Sequence, residues 1–239
     1  LLAAAVNSPI LLGKRLWHET RISVFEYSVD ARSTTHQTRG LKPRVHFGDH
    51  WVNDCVTEIF KEDIARFRVI LTTDTEDDPL AMVAQGIAPK LKALCLHNGT
   101  VYRWNRACYG VHKGVPHLRI ENRVIPAGPT VIDEIANTAF FVGMMAGMSD
   151  KIDDVRELIS FEDVKANFMA AARDGIRAQM NWFGDTHMPA RELILEHLLP
   201  MAEHGLKKYK VNQKDIDLYL GVLRDRVTAR RTGSRWALE

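Results

Sequence analysis

The spacing of hydrophobic residues changes near residue 150. Before that point, short stretches in which apolar and polar residues alternate lie between segments with apolar residues every three or four positions. Alternation is typical of strands, and the longer spacing is typical of amphipathic helices. After residue 150 the helical spacing continues to the end of the chain. The pattern predicts an α+β fold over 1–149, followed by an α-helical region over 150–239 that packs on it.

Several strands are predicted in the first region. The stretch 21–29 is rich in β-branched and aromatic residues, and a shorter strand covers 68–72. A β pair is predicted between 101–104 and 117–124, with 110–116 as the loop that leads into the second strand.

The predicted helices are placed by their end signals as well as by their spacing. Asp49 can cap the first, and Ser160 with Asp163 resembles a capping box at the start of another. The strongest, 130–148, carries two acidic residues in its first turn. The polar stretch 30–48 is predicted as a long loop. The predicted helices are 49–67, 79–94, 130–148, 153–158, 161–179, 189–206 and 212–231.

The composition is that of a globular protein, with 46% hydrophobic and 26% charged residues. A net charge of +2 is too small to indicate a nucleic-acid or membrane partner. No stretch reaches the roughly 20 apolar residues that span a bilayer. Three cysteines at wide spacings predict reduced thiols rather than a disulfide framework. A cytoplasmic location is therefore predicted, and a homo-oligomer is left open.

The first six residues are apolar, but neither an initiator Met nor a basic segment precedes them. A signal peptide is therefore not predicted. The chain instead reads as if it begins inside a helix that ends near Asn7, which predicts a fragment of a larger protein.

The predicted strand 117–124 carries the main candidate chemistry. Alternation places Arg119, Glu121 and Arg123 on one face, and the apolar residues on the other are expected to be core. The charged face could be a solvent-exposed ladder of ion pairs, as is common on antiparallel sheets. It could also bind a polyphosphate, since guanidinium groups grip phosphate oxygens and carboxylates hold Mg²⁺. The strand alone leaves both interpretations open.

Residues just upstream add basic groups and glycines to this region. No Walker A, GxGxxG, GxSxG or HExxH sequence is present, so P-loop, Rossmann, hydrolase and zincin interpretations lose their main support. The basic residues are His97, Arg103, Arg106, His112 and Lys113.

Five segments together resemble the glutamate–cysteine ligase family of plants and bacteria and its carboxylate–amine ligase relatives. They occur in the family's order along most of the chain, which makes the resemblance stronger than any one motif. The segments are NSPILLGKR at 7–15 followed by Arg21, HNGTVYRWNR at 97–106, HLRIENR at 117–123, PTVIDE at 129–134 and RTGSRW at 231–236.

The resemblance implies a glutamine-synthetase-like fold with an antiparallel sheet and packed helices. It makes 1–149 the C-terminal part of a ligase catalytic domain and 150–239 a helical region. It also implies an ATP- and Mg²⁺-dependent carboxylate–amine ligase that forms an amide through an acyl phosphate. The implied substrates are an amino acid with a free carboxylate and an acceptor amine.

The resemblance also assigns roles to individual residues. Arg123 would contact the transferring phosphate, and Glu121 would be catalytic and ligate Mg²⁺ with ATP. Nucleotide binding would involve Arg106, Arg119 and Thr100, and the amino-acid substrate would contact Arg21 and Arg15. Such groups act by positioning and charge neutralisation.

One departure from the family pattern limits these expectations. The acidic cluster that supplies the other metal ligands lies upstream in the family, in a segment that this chain lacks. The fragment alone is therefore expected to be inactive and to need that N-terminal segment. An alternative function is a non-catalytic ligand-binding or regulatory module that retains the ligase fold.

Three further features carry weaker signals. His46 and His50 are four residues apart, but the glycine between them argues against a shared helix face, so loop polarity or a substrate contact is favoured over a metal site. Cys108 lies beside the candidate site without any sign of an activated thiol. The arginines from 224 to 235 predict a solvated helix end, with closure over an anionic ligand as the alternative.

Overall fold

A computed structural model describes residues 1–30, 32–33, 35, 42–74 and 78–239. Contacts divide the chain into a larger unit, 1–23 with 125–239, and a smaller unit, 24–124. The assignment of 1–149 to a catalytic domain and 150–239 to a helical region stays a prediction. Part of the predicted loop 30–48 lies outside the described residues.

The described residues form a mixed α/β fold of helices and small sheets. In chain order its elements are α1 (Leu2–Ala5), β1 (Ile10–Leu11), β2 (Lys14–Arg15), α2 (Thr20–Ser28), β3 (Val45–His46), α3 (Thr57–Arg66), α4 (Pro79–Ala84), α5 (Lys92–Gly99), β4 (Tyr102–Arg103), β5 (Asn105–His112), β6 (Val115–Asn122), α6 (Val131–Met148), α7 (Phe161–Asp174), β7 (Gln179–Trp182), β8 (Thr186–Pro189), α8 (Ala190–Glu192), α9 (Leu199–Lys208), α10 (Gln213–Thr228) and α11 (Gly233–Trp236). A π-helical turn, Leu193–Leu198, joins α8 to α9. Strand β3 pairs in parallel with β4, while β1–β2, β5–β6 and β7–β8 are antiparallel pairs.

The core of the larger unit is built around α6, which packs against α9 and α10. Glycines allow the helix backbones to approach closely: a Cβ atom on Gly143 would lie 2.5 Å from the carbonyl oxygen of Ala202. A Cβ atom on Gly205 would overlap the carbonyl oxygen of Gly143 and lie 2.6 Å from the amide nitrogen of Gly147. Side chains at these positions would therefore force the helices apart.

The predicted helix 130–148 is confirmed as α6. Thr130 caps it, since the Thr130 hydroxyl accepts a hydrogen bond from the Asp133 amide at 3.4 Å. Its first turn carries Asp133 and Glu134, as expected for the positive end of a helix dipole. By length and composition alone α6 could also cross a membrane, a test that a core helix passes equally well.

Helix α7 begins at the predicted capping residue. The Ser160 hydroxyl accepts a hydrogen bond from the Asp163 amide at 3.0 Å and donates one to the Asp163 carboxylate at 2.5 Å. Replacing Ser160 with alanine is expected to lower the free energy of unfolding by about 1 kcal/mol, because it leaves a helix amide without its acceptor.

Thermal unfolding of the two variants Ser160→Ala and Ser160→Asn tests the cap. Asparagine keeps a side-chain acceptor at this position and should stay close to the wild type. Equal destabilisation by both substitutions would contradict the role given to the Ser160 hydroxyl.

The predicted strand 21–29 is wrong, because this segment belongs to the helix α2. Ile22 is buried, and Phe25 makes edge contacts with the rings of Tyr102 and Trp104 at 5.7 Å. Tyr27 is exposed, as a helical repeat requires. Spacing of the buried residues, and not their β propensity, decides the structure here.

The predicted helices 49–67 and 79–94 are each partly wrong. Helix α3 starts only at Thr57, because the Glu58 carboxylate accepts amide hydrogen bonds from Asn53 at 3.0 Å and Asp54 at 2.6 Å and holds them outside the helix. The second segment splits into α4 and α5. Between them Gly86 and Leu91 have positive φ angles, which end a right-handed helix.

Two other predictions for regular structure are also corrected. The stretch 68–72 has no regular secondary structure. The region after 150 is not all helical, because β7 and β8 form a hairpin within it. Helix α7 ends at Asp174 because Gly175 takes a φ of +56°.

The predicted loop 110–116 is instead part of a regular β-hairpin. Strands β5 and β6 each have eight residues and are joined by Lys113 and Gly114, whose φ angles are +50° and +80°. Two successive positive φ angles are the mark of a tight hairpin turn. The predicted pairing of 101–104 with 117–124 is wrong: β4 pairs with β3, and the strand that pairs with β6 is Asn105–His112.

The apolar face of β6 is exposed to solvent, although it was expected to be part of the core. Leu118 and Ile120 were expected to be buried, but 52% and 56% of their surfaces are exposed. Their partners across the strands are Tyr109 and Ala107. The hairpin thus presents an apolar strip to solvent as well as its charged face.

Candidate active site

The charged face of the β5–β6 hairpin is organised around Glu121. Register places Arg106 of β5 directly opposite Glu121 of β6. One Glu121 oxygen accepts hydrogen bonds from Arg106 Nε at 2.9 Å and Nη2 at 2.5 Å. The other accepts one from Arg123 Nε at 3.1 Å. The structure therefore brings together three of the predicted site residues in one ion-pair network.

The electrostatics of this network keep Glu121 ionised. Partial burial by itself would raise the pKa of Glu121, but hydrogen bonds from Arg123 and Arg106 outweigh it, so the pKa lies below its usual value. The Glu121 side chain is 41% exposed, whereas the arginines are more buried. Two guanidinium groups thus share one carboxylate.

Arg119 lies on the same face, across from Cys108. The next pair is Gly110 and His117: a Cβ atom on Gly110 would lie 2.7 Å from His117 Cε1 and 3.3 Å from Arg119 Nη1. The absence of a side chain at Gly110 thus makes room for both cross-strand groups. The sequence interpretation left His117 out of the site, although the alternation that grouped Arg119 with Glu121 also places His117 beside them.

The described residues do not form a complete metal site. Among them there is no cluster of three or more His, Cys, Asp or Glu side chains that could hold a metal ion. Both Glu121 oxygens already accept hydrogen bonds from arginines. His46 was the other residue considered as a metal ligand. Burial lowers the pKa of its imidazole to about 3, and Arg103 and Arg66 act in the same direction. The assignment of Mg²⁺ to Glu121 stays a prediction.

Some upstream candidates have structural partners within the smaller unit. The Thr100 hydroxyl donates to the His97 carbonyl at 2.8 Å at the end of α5. Arg103 is buried and pairs with Asp63 at 2.9 Å and Glu62 at 2.6 Å. These two carboxylates hold the Arg103 side chain in the interior of the smaller unit. Arg106, three residues later, lies on the charged face of the β5–β6 hairpin instead. A nucleotide contact of Thr100 stays a prediction.

The two predicted substrate residues lie in the larger unit. Arg21 donates from Nε to the Glu19 carboxylate at 3.2 Å. Glu19 is fully buried and also accepts from the Asn7 amide and the Ser8 hydroxyl, both at 2.7 Å. The Asn-Ser-Pro segment thus fixes the carboxylate that holds Arg21. Arg15 is exposed on β2.

Not all of the arginines between 224 and 235 are exposed to solvent, so the predicted solvated helix end is wrong in part. Arg226 is buried on α10 and donates to the Asp133 carboxylate at 2.6 Å and to the Asn137 side chain at 2.7 Å. It also donates to the Ala4 carbonyl at 3.3 Å. Arg226 therefore ties α1, α6 and α10 together.

Comparison with known protein families identifies the class to which the chain belongs. The family model described as glutamate-cysteine ligase family 2 (GCS2) matches residues 1–239. The chain belongs to this family, so the predicted resemblance is confirmed. Membership implies a ligase of the kind that joins a carboxylate to an amine. No curated protein matches the chain.

Proposed function

We propose that the protein is an ATP-dependent carboxylate–amine ligase that forms an amide through an acyl-phosphate intermediate. The observation that carries the proposal is the Arg106–Glu121–Arg123 network on a strand face of a chain that belongs to a ligase family. Arginine pairs suit the oxygens of a transferring phosphoryl group, because the guanidinium group donates two parallel hydrogen bonds.

The proposed reaction has two steps. A carboxylate oxygen of the acid substrate attacks the γ-phosphorus of ATP, the bond to the bridging oxygen breaks, and ADP leaves. The amine nitrogen then attacks the acyl carbon, and phosphate leaves with the oxygen that came from the carboxylate. The nitrogen loses a proton to the surrounding solvent. The chain's own contribution is positioning and charge neutralisation.

The arginines and the carboxylate of the network have different parts in this proposal. Arg123 and Arg106 hold the phosphoryl oxygens, and Glu121 keeps the two guanidinium groups oriented through its hydrogen bonds. Arg119 extends the positive face along β6 towards the nucleotide. Mg²⁺ prefers several carboxylate and phosphate oxygens, which the described residues do not supply by themselves. No step is therefore assigned to the metal.

Substrate recognition is proposed to involve the larger unit. Arg21, oriented by Glu19, and Arg15 would bind the free carboxylate of the amino-acid substrate. The acceptor amine has no assigned contact.

A cytoplasmic location and a glutamine-synthetase-like sheet are part of the same proposal. The exposed apolar strip of β6 suits a strand that packs against a further partner in such a sheet.

The proposal is tested by ADP release from purified full-length protein incubated with ATP, Mg²⁺, glutamate and a panel of amines that includes cysteine. ADP release that requires both glutamate and one of the amines is expected. Reactions without amine, and reactions with Glu121→Gln, serve as controls. ADP release in the complete reaction that is no higher than in these controls would contradict ligase activity.

A second function, a non-catalytic module that binds a nucleotide, is favoured by two observations. Both Glu121 oxygens are engaged by arginines, and the described residues hold no metal cluster. Saturable binding of ATP without amine-dependent turnover would support this function instead of the ligase.

A further inference from the structure

A cavity of about 260 Å³ lies in the larger unit, between the start of α7 and the β7–β8 hairpin. All of its lining residues fall within 156–187, so this unit alone supplies the cavity. The volume is enough for a small organic ligand. The side chains that matter for its chemistry are Glu157, Asp163, Asn181, Trp182, Asp185 and His187.

A chain of hydrogen bonds orients the histidine of this cavity. The Asn181 side-chain nitrogen donates to the Asp163 carboxylate, which leaves the Asn181 side-chain oxygen to accept. His187 places Nδ1 2.7 Å from that oxygen and therefore donates to it. Neutral imidazole with its proton on Nδ1 presents Nε2 as a hydrogen-bond acceptor. His187 Nε2 has no partner among the residues that the structure describes.

The other end of this chain is fixed by the cap of α7. The Ser160 hydroxyl donates to the Asp163 carboxylate at 2.5 Å, and this bond together with the one from Asn181 keeps the pKa of Asp163 below its usual value. The ionised carboxylate also offsets the partial positive charge at this end of α7. The Asn181 backbone amide donates to the Asn167 side chain at 2.8 Å. The orientation of His187 is thus set by the fold itself.

The charged groups without partners in this cavity are acceptors. Within the described part of the chain, the carboxylates of Glu157 and Asp185 take part in no hydrogen bond or ion pair. Arg156 also lines the cavity, but its guanidinium group pairs with Asp154 at 2.5 Å and does not belong to the site. The cavity therefore offers two carboxylates and one imidazole nitrogen to a ligand that donates.

We infer that this cavity binds an organic ammonium group. An ammonium nitrogen has donors only, which matches His187 Nε2 and the carboxylates of Asp185 and Glu157. Trp182 lines the same cavity, and an indole ring attracts a cation over its face. A metal ion suits the site less well, because no three His, Cys, Asp or Glu side chains among the described residues are placed to hold one. Binding here requires neither ATP nor turnover and does not rest on the proposed function.

Nuclear magnetic resonance of the histidine side chains in nitrogen-15-labelled protein tests the inference. The His187 signal is identified by its loss in His187→Gln. In mildly alkaline buffer imidazole is neutral while an alkylamine is still protonated, and the signal of the free protein should show the tautomer with its proton on Nδ1. Butylamine and butyrate are then titrated separately at constant pH and ionic strength, so that ligands of similar size and opposite charge are compared.

A saturable shift of the His187 signal is expected with butylamine and not with butyrate. Asp185→Asn should weaken butylamine binding about tenfold, because a hydrogen bond to a charged group is lost. Asparagine tolerates the φ of +56° at this position, so the hairpin turn is kept. The matched control is Asp225→Asn, which removes an exposed carboxylate of α10 and should leave binding unchanged.

Glu157→Gln gives a second test if Asp185→Asn unfolds. The inference would be overturned by the absence of a saturable shift with butylamine, by an equal shift with butyrate, or by wild-type affinity for butylamine in both site variants. A proton on Nε2 in the free protein would also overturn it, because the imidazole would then offer no acceptor to the ligand. All of these outcomes are independent of ligase activity.

Discussion

Amine-dependent ADP release is expected to fall by about 100- to 1,000-fold when Arg123 is replaced by glutamine, the effect of removing one preorganised donor to developing charge. Arg123 is held in place by its hydrogen bond to Glu121 at 3.1 Å. The loss should appear mainly in kcat, because the guanidinium group is proposed to act on the phosphoryl group in transfer and not on bound ATP alone.

Two variants give this prediction its controls. Arg123→Lys keeps the charge but loses the planar fork of donors, so intermediate activity is expected. Arg156→Gln removes an exposed arginine of the larger unit that pairs with Asp154, and its activity should match the wild type. Activity in Arg123→Gln above half the wild-type value, in a protein that unfolds at the wild-type temperature, would remove Arg123 from the proposed site.

Replacing Gly205 with alanine is expected to destabilise the larger unit by about 3 kcal/mol, at the upper end for overpacked cores. The new methyl group would overlap the Gly143 carbonyl oxygen and lie 2.6 Å from the Gly147 amide nitrogen. Both neighbours are helix backbone, which cannot rotate away as a side chain can. Helices α6 and α9 must therefore separate, at the cost of the packing between them.

The matched control for Gly205→Ala is the same substitution at Gly221. Gly221 lies in α10, and a Cβ atom there would meet nothing within 4 Å. Alanine should then stabilise the helix by roughly 0.5–1 kcal/mol, since glycine is the poorer helix former. Thermal unfolding of both variants checks the prediction. A melting temperature of Gly205→Ala at or above that of Gly221→Ala would contradict the close helix crossing.

Local signals in the sequence were sufficient for some elements of the fold. Helix α6 was predicted because its cap at Thr130, its acidic first turn and its apolar spacing agree. The start of α7 was predicted from Ser160 and Asp163 for the same reason. In both cases the atoms that define the helix end lie within three residues of one another.

Elements that depend on distant contacts were predicted less well. The segment 21–29 has strand-like residues, but the aromatic partners of Phe25 lie near residue 103, so tertiary packing selects a helix. The β7–β8 hairpin is short, and its strands of four residues give too little alternation to outweigh the helical pattern around them. Propensity alone does not decide either case.

The candidate site was predicted in part. Alternation along one strand was enough to group Arg119, Glu121 and Arg123 on one face. The position of Arg106 opposite Glu121 depends on strand register, which the Lys113–Gly114 turn fixes. The sequence predicts a loop over 110–116, which leaves the register open, so it does not predict the direct contact between Arg106 and Glu121.

Transfer of oxygen from the acid substrate to phosphate tests the central claim most directly. Glutamate labelled with oxygen-18 in its side-chain carboxylate is incubated with the protein, ATP, Mg²⁺ and the amine that supports turnover, and the inorganic phosphate is analysed by mass spectrometry. An acyl-phosphate ligase places one labelled oxygen in phosphate for each amide formed. Amide formation with unlabelled phosphate, or labelled phosphate that Arg123→Gln releases at the wild-type rate, would contradict the mechanism proposed for the β5–β6 hairpin.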